Sequence, residues 1–117
     1  MLVEIRSYRL KPDTYETLAR LFEDEALPLL AEAGIDVVAF GGSPADPDAA
    51  FLIRSFVDLA DRDARELAFY GSRGWRLGPR EAILACIDTY TDTLLTLDER
   101  TVDGMRVVGD RASCRLD

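Results

Sequence analysis

Three side chains near the N-terminus have the types and the spacing for acid-base chemistry. Glu4, Arg6 and Tyr8 alternate within Leu2-Val3-Glu4-Ile5-Arg6-Ser7-Tyr8. In an extended chain, residues two apart project from one face about 7 Å from each other. The three therefore form a ladder of carboxyl, guanidinium and phenol, suited to a general base, an oxyanion or carboxylate clamp, and a general acid. The same ladder has a structural reading, a buried Glu-Arg pair that satisfies itself and fixes register. Arg54 carries the same two readings and is an alternative partner for Glu4. Tyr70 and Trp75 are candidates to line a cavity mouth and stack on a planar ligand, or else to plug the core.

Composition limits what other chemistry is available. The 117 residues include 14 basic and 22 acidic side chains, no histidine and two cysteines, for a formal charge of -8. Without an imidazole there is no Ser-His-Asp or Cys-His catalysis, no HExxH zinc site and no proximal-histidine haem. Asp88, Tyr90 and Asp92 alternate, but two carboxylates are too few for a metal, so neither metal nor cofactor is expected. The acidic balance argues against nucleic acid and against anionic membrane surfaces, both of which need clustered cations. Met1 to Arg6 has neither the basic nor the apolar part of a signal peptide, and no stretch approaches the roughly 18 apolar residues of a membrane span. The expected compartment is the cytoplasm, where Cys86 and Cys114 stay reduced. Cys86 lies in an apolar run and reads as a core residue.

The elements that must position these residues follow from periodicity. Residues 2 to 10 alternate and predict a strand with Val3 and Ile5 on its apolar face. Asp13 and Glu16 resemble an acidic capping box opening a helix to Ala33, with Pro28 as a kink or early end and Gly34 as its stop. Ile35 to Phe40 and Phe51 to Val57 predict two strands joined by a long loop across Gly41 to Asp48. Asp58 and Asp61 cap a helix to about Tyr70, whose Asp58, Asp61, Arg62, Asp63, Arg65 and Glu66 read as a solvated turn. Pro79 opens a short helix, and Thr89 to Leu97 predicts a fourth strand. From Asp98 the composition turns polar, giving a domain over 1–98 and a tail over 99–117 with at most one short strand at Val107-Val108.

The order β-α-β-β-α-β is the ferredoxin-like α+β pattern, a four-stranded antiparallel sheet with helices on one face. The other face is left open. RNA is a poor occupant, because the third strand offers only Arg54 as a cation. A second copy is the better one, since a short chain has a thin core and gains from burial against itself. If Val3 and Ile5 face the helices, then Glu4, Arg6 and Tyr8, with Leu52, Arg54 and Phe56, face a space between two packed sheets.

Leu2 to Pro12 resembles the opening strand of the NIPSNAP family, within the dimeric α+β barrel superfamily. Phe69-Tyr70-Gly71-Ser72 with Trp75, and Gly78-Pro79-Arg80, resemble the family's second signature region. The resemblance covers residues 1 to about 97; Ser7 and Asp13 stand where Thr and Gly are expected. It implies an obligate homodimer with a cavity but no single reaction, since related barrels include cofactor-free monooxygenases, decarboxylases, isomerases and haem enzymes. The resulting expectation is a homodimer that binds a small organic or aromatic molecule between sheet and helices. Its enzyme version is a cofactor-independent monooxygenase, isomerase or cyclase of secondary metabolism, with Glu4, Arg6 and Tyr8 catalytic and Arg54, Phe56, Tyr70 and Trp75 binding substrate. The alternative is a non-catalytic NIPSNAP-like structural or protein-interaction dimer.

Overall fold

Alternation over residues 2–10 does produce a strand, but its two faces are exchanged relative to the expectation. In the computed structural model, which describes residues 1–106, the order is β1 (Leu2–Leu10), α1 (Tyr15–Leu21), a π-helical turn (Phe22–Ala26), α2 (Leu27–Glu32), β2 (Asp36–Ser43), β3 (Asp46–Phe56), α3 (Leu59–Gly71), α4 (Arg73–Leu77), α5 (Arg80–Cys86) and β4 (Ile87–Thr96). The strands form one antiparallel sheet in the order β2-β3-β1-β4, a ferredoxin-like α+β fold. Residues 99–106 add a further helical stretch.

The even-numbered residues of β1 face the helices. Tyr8 meets the Phe22 ring edge-on at 6.1 Å, and Leu10 joins Leu18, Leu30 and Leu52 in the main core. Val3 and Ile5 lie on the opposite face, where Val38, Ile53 and Leu95 surround them. Alternation separates two faces of a strand but does not say which one the helices cover. The tail resolves the question, because Val102, fully buried, and Met105 pack on that second apolar cluster. Arg106 then clamps Asp36 at the start of β2 with two hydrogen bonds of 2.8 and 2.6 Å. The polar tail expected from residue 99 is thus, over 99–106, a packed helix; Val107, Val108 and Cys114 lie outside the described residues.

Local departures have physical causes. The first helix widens into a π turn just ahead of Pro28, where Leu27 N–H reaches back to Phe22 O; the wider turn accommodates the ring and the missing donor without a break. The acidic capping box does not form. Thr14 occupies the cap, and Asp13 sits at φ 62°, the left-handed region that explains why glycine is expected there. Gly34, at φ 76°, ends α2 as anticipated. The loop between β2 and β3 is short, since both strands run on through Gly41, Gly42 and Asp46. Asp58 caps α3 by accepting from Asp61 N–H at 2.8 Å. Cys86 is buried, its thiol donating to Ala82 O.

Truncation of Val102, which is wholly enclosed, is expected to cost about 2 kcal/mol. Val102→Ala should lower the urea midpoint with an unchanged m-value, and deletion from residue 99 should lower it further. Unaltered midpoints for both would detach the 99–106 helix from the folded unit.

Candidate active site

The face exchange carries Glu4, Arg6 and Tyr8 inward, under α3. Antiparallel register sets Glu4 opposite Arg54 and Arg6 opposite Leu52 on β3, with Arg6 opposite Asp92 and Tyr8 opposite Tyr90 on β4. Residues directly opposed on one face are close enough for their side chains to meet. Arg54 donates from one Nη to both Glu4 oxygens at 3.0 Å, and both side chains are completely enclosed. Its other Nη donates to Tyr70 Oη at 2.8 Å. Arg6 forks onto Asp92 at 2.8 and 3.0 Å, donates to Tyr70 Oη at 3.1 Å and lies over the Tyr90 ring at 4.4 Å.

Helix α3 closes the cluster from above. Arg62, Glu66 and Tyr70 are four residues apart, so they lie along one stripe. Arg62 Nη2 stands 3.4 Å from Glu4 Oε2 and 3.3 Å from Asp92 Oδ2, while Glu66 Oε2 approaches Arg54 and Arg62 at 3.2 and 3.3 Å. Three guanidiniums thus face three carboxyls in a largely water-free site. The i,i+4 charge spacing of Arg62 and Glu66 predicts a solvated helix turn; instead both side chains turn inward onto Glu4 and Arg54.

The two glutamates are shifted in opposite directions. Burial alone would raise the Glu4 carboxyl, but the hydrogen bond from Glu66 and the Arg54, Arg6 and Arg62 charges hold it below the usual carboxylate range. Burial pushes Glu66 up to about 7, and the hydrogen bond and negative charge of Glu4 add to that rise against the pull of Arg54 and Arg6. Glu66 Oε2 accepts no hydrogen bond of good geometry although it is out of water. Burial, with the neighbouring Tyr70, also pushes the Tyr8 phenol well up, outweighing Arg6 and Arg54, so it stays a neutral donor. Among the described residues, no group of three or more acids or cysteines is arranged to hold a metal ion.

Beside this cluster a cavity of about 540 Å³ opens between the sheet and the helices. Arg6, Arg62, Glu66, Tyr70 and Asp92 form its ionic end; Phe22, Leu52, Phe69, Trp75 and Ile83 form an apolar body. Trp75 is set by the Ser72 cap of α4 and packs edge-on against Tyr70 at 5.3 Å. Gly78 closes that turn where a Cβ would lie 2.3 Å from Gly74 O, so no other residue fits. Of the residues singled out from sequence, Arg6, Tyr8, Tyr70 and Trp75 line the cavity. Glu4 and Arg54 lie behind its wall with no exposure, and Phe56 is a core residue, 3% exposed, away from the lining. Glu66, Arg62 and Asp92 were missed. Counting back in fours along α3 from Tyr70 would have found the first two.

The linked protonation predicts a stability profile. Glu66 binds its proton more tightly in the folded state, so its contribution is present below its ordinary value near 4.5 and is lost as pH rises through about 7. Glu4 has the opposite sign, and its contribution is lost as pH falls below the ordinary carboxylate range. Stability should peak in mild acid and decline towards pH 8 by an amount on the order of 2 kcal/mol. Urea melts of Glu66→Gln should lack the decline above pH 5; an unchanged slope would remove Glu66 as its source.

The family model described as NIPSNAP matches residues 3–99. A NIPSNAP family protein of unknown function from Agrobacterium tumefaciens is similar at 24% identity, with a TM-score of 0.74 over 81% of this chain and 86% of that one. A NIPSNAP domain protein from Burkholderia xenovorans shares 16% identity, with a TM-score of 0.75 over 85% and 96% of the two chains. An antibiotic biosynthesis monooxygenase shares 17% identity, with a TM-score of 0.58 over 84% and 99%. Likeness at these identities extends to the fold. No curated protein matches the sequence.

Proposed function

The chain belongs to the NIPSNAP family, and from that premise we propose that it binds a small, partly apolar organic molecule in the cavity between sheet and helices and performs cofactor-independent acid-base chemistry on it. The observation that carries this reading is Glu66, a carboxyl that lines the cavity, lacks a well-formed hydrogen bond on one oxygen and titrates near 7. A general base works best when its pKa lies near the operating pH. Glu66 thus takes the role the sequence suggested for Glu4, whose carboxylate is tied to Arg54 behind the cavity wall. Glu4 acts by position: its charge keeps the proton on Glu66 until a substrate perturbs the pair.

In the reaction Glu66, as carboxylate, removes a proton from an acidic carbon beside a carbonyl, and the developing oxyanion is stabilised by Arg6 and the phenols. Return of the proton to a different atom gives an isomerase or cyclase outcome. In the monooxygenase version the carbanion of a CH2 group passes an electron to dioxygen and the two combine into a hydroperoxide, which loses water to leave a carbonyl, so the substrate supplies all the electrons and the second oxygen leaves as water; similarity to that enzyme's fold is consistent with it.

Among the described residues, 99–106 cover only part of the sheet face opposite the helices, with Ile5, Phe51 and Ile53 half-buried there. A second copy packed there would complete a dimeric barrel and bury these side chains. Sedimentation is expected to give twice the 13.0 kDa chain mass; a stable monomer at micromolar concentration removes the dimer.

Binding and chemistry are tested separately. The neutral probe N-phenyl-1-naphthylamine should brighten on mixing with the protein and be excluded by Leu84→Trp, which fills the rim of the cavity. Equal brightening with both proteins would place the probe elsewhere. In deuterated buffer, the protein should accelerate exchange of the acidic hydrogens of 2-tetralone, and Glu66→Gln should slow that exchange by about 10²-fold or more. Bound 2-tetralone exchanging no faster than in buffer would leave a binding protein without this chemistry.

A further inference from the structure

Two phenolic hydroxyls meet at the ionic end of the cavity with hydrogens to give. Tyr70 Oη accepts from Arg54 at 2.8 Å and from Arg6 at 3.1 Å, which fills its acceptor capacity. Its own hydrogen finds no acceptor among the described residues, and the side chain lines the cavity. Tyr8, 6% exposed, lines it too; its charged neighbours are Arg6, from which it accepts, and Arg54, both of which only donate, so its own hydrogen also meets no acceptor among the described residues. A hydroxyl hydrogen that meets no protein acceptor at a cavity wall is free to bond a ligand oxygen.

The ion cluster itself is balanced, but among the charged side chains that line the cavity one sign is in excess. Arg6, Arg62 and Arg80 line the cavity against Glu66 and Asp92, in a protein whose overall charge is -8. Among the described residues Arg80 pairs only with the exposed Glu81 at 3.0 Å. With Glu66 protonated the lining holds three cations and one anion. The acceptor that two phenols and this field select is an anionic oxygen.

We propose that the occupant is an apolar molecule bearing an anionic oxygen, a carboxylate or an enolate-type oxygen, held by the Tyr8 and Tyr70 hydroxyls beside Arg6, with its body among Phe22, Leu52, Trp75 and Ile83. This rests on the cavity being a binding site, and it adds the ligand's charge and the residues that read it. Arg6 is already aligned by Asp92 and Tyr90, so little ordering remains to be done when the anion arrives.

Calorimetry at pH 7 with three probes of similar bulk tests it: 2-naphthoate, 2,4-dinitro-1-naphtholate and the neutral 2-naphthamide. At least one anion should bind about tenfold or more tightly than the amide, and which one does so assigns the oxygen as carboxylate or enolate-like. Tyr8→Phe, which removes the hydroxyl and keeps the ring, should erase most of that preference while leaving the amide's affinity in place. Tyr70→Phe should do the same where it folds. Equal affinity for all three probes overturns the anionic oxygen and leaves the apolar cavity standing; a preference untouched by Tyr8→Phe overturns the assignment of the phenols. No binding of any probe overturns this proposal together with the binding function.

Discussion

One cross-strand ion pair governs the arrangement of this molecule. Glu4 and Arg54 face each other across β1 and β3 with neither side chain reached by water. Two charges removed from solvent lose several kcal/mol of hydration each, which their attraction offsets only if the remaining hydrogen-bonding capacity is also met. That requirement recruits the neighbours. Arg54 turns its second Nη to Tyr70, Tyr70 takes a further bond from Arg6, and Arg6 is held by Asp92 on the edge strand. Each contact exists because the pair beneath it must be enclosed, and the chain of contacts links both strands flanking β1 to α3. A one-residue slip of β1 would turn Glu4 out and Val3 in, so the pair also fixes the register.

Much of the architecture was legible because periodicity reports it directly. The β-α-β-β-α-β order, the Asp58 cap, the Gly34 stop and the short helix opened by Pro79 all appear where the residues indicate. What misled was polarity. A strand reading Val3-Glu4-Ile5-Arg6 looks as though its aliphatic residues must meet the helices, because charges are seldom buried. Here the charges are buried in a neutralised cluster, and the aliphatic side lies under residues from a segment more than ninety positions away. No local pattern contains that information. Arg62 and Glu66 failed for a related reason: an i,i+4 pair of opposite charges on a helix is the usual mark of a solvated face. Only the presence of Tyr70 on the same stripe distinguishes them, and that matters only once Tyr70 is known to face inward.

The cavity survives because its walls are supported from outside. Phe22 and Ala26, which line it, sit on the π turn, and Phe22 stacks on Phe40 of β2 at 4.3 Å, so the widened turn is braced against the sheet. Trp75 is anchored by Phe69 and Tyr70 at 5.5 and 5.3 Å and cannot collapse inward without breaking both contacts. On the ionic side, the guanidiniums are committed to carboxylates and cannot fold over the space. A void of this size in an unsupported core would be lost to rearrangement or would cost stability; here each wall is held by partners behind it.

The absence of histidine gives the glutamate pair its significance. A protein without imidazole has no side chain whose ordinary titration falls near neutrality, so a proton donor and acceptor for that range has to be made from another group. Burial beside a second carboxylate does this. Glu4, committed to three arginines, retains its charge, and that charge displaces the titration of Glu66 towards 7. The two are not interchangeable, because burial raises Glu66 first and Glu4 adds to that rise, whereas Glu4 itself is sealed from the cavity. The division of labour in the proposed chemistry follows from depth: the carboxyl furthest from solvent holds the charge, and the one at the cavity wall is placed to move the proton.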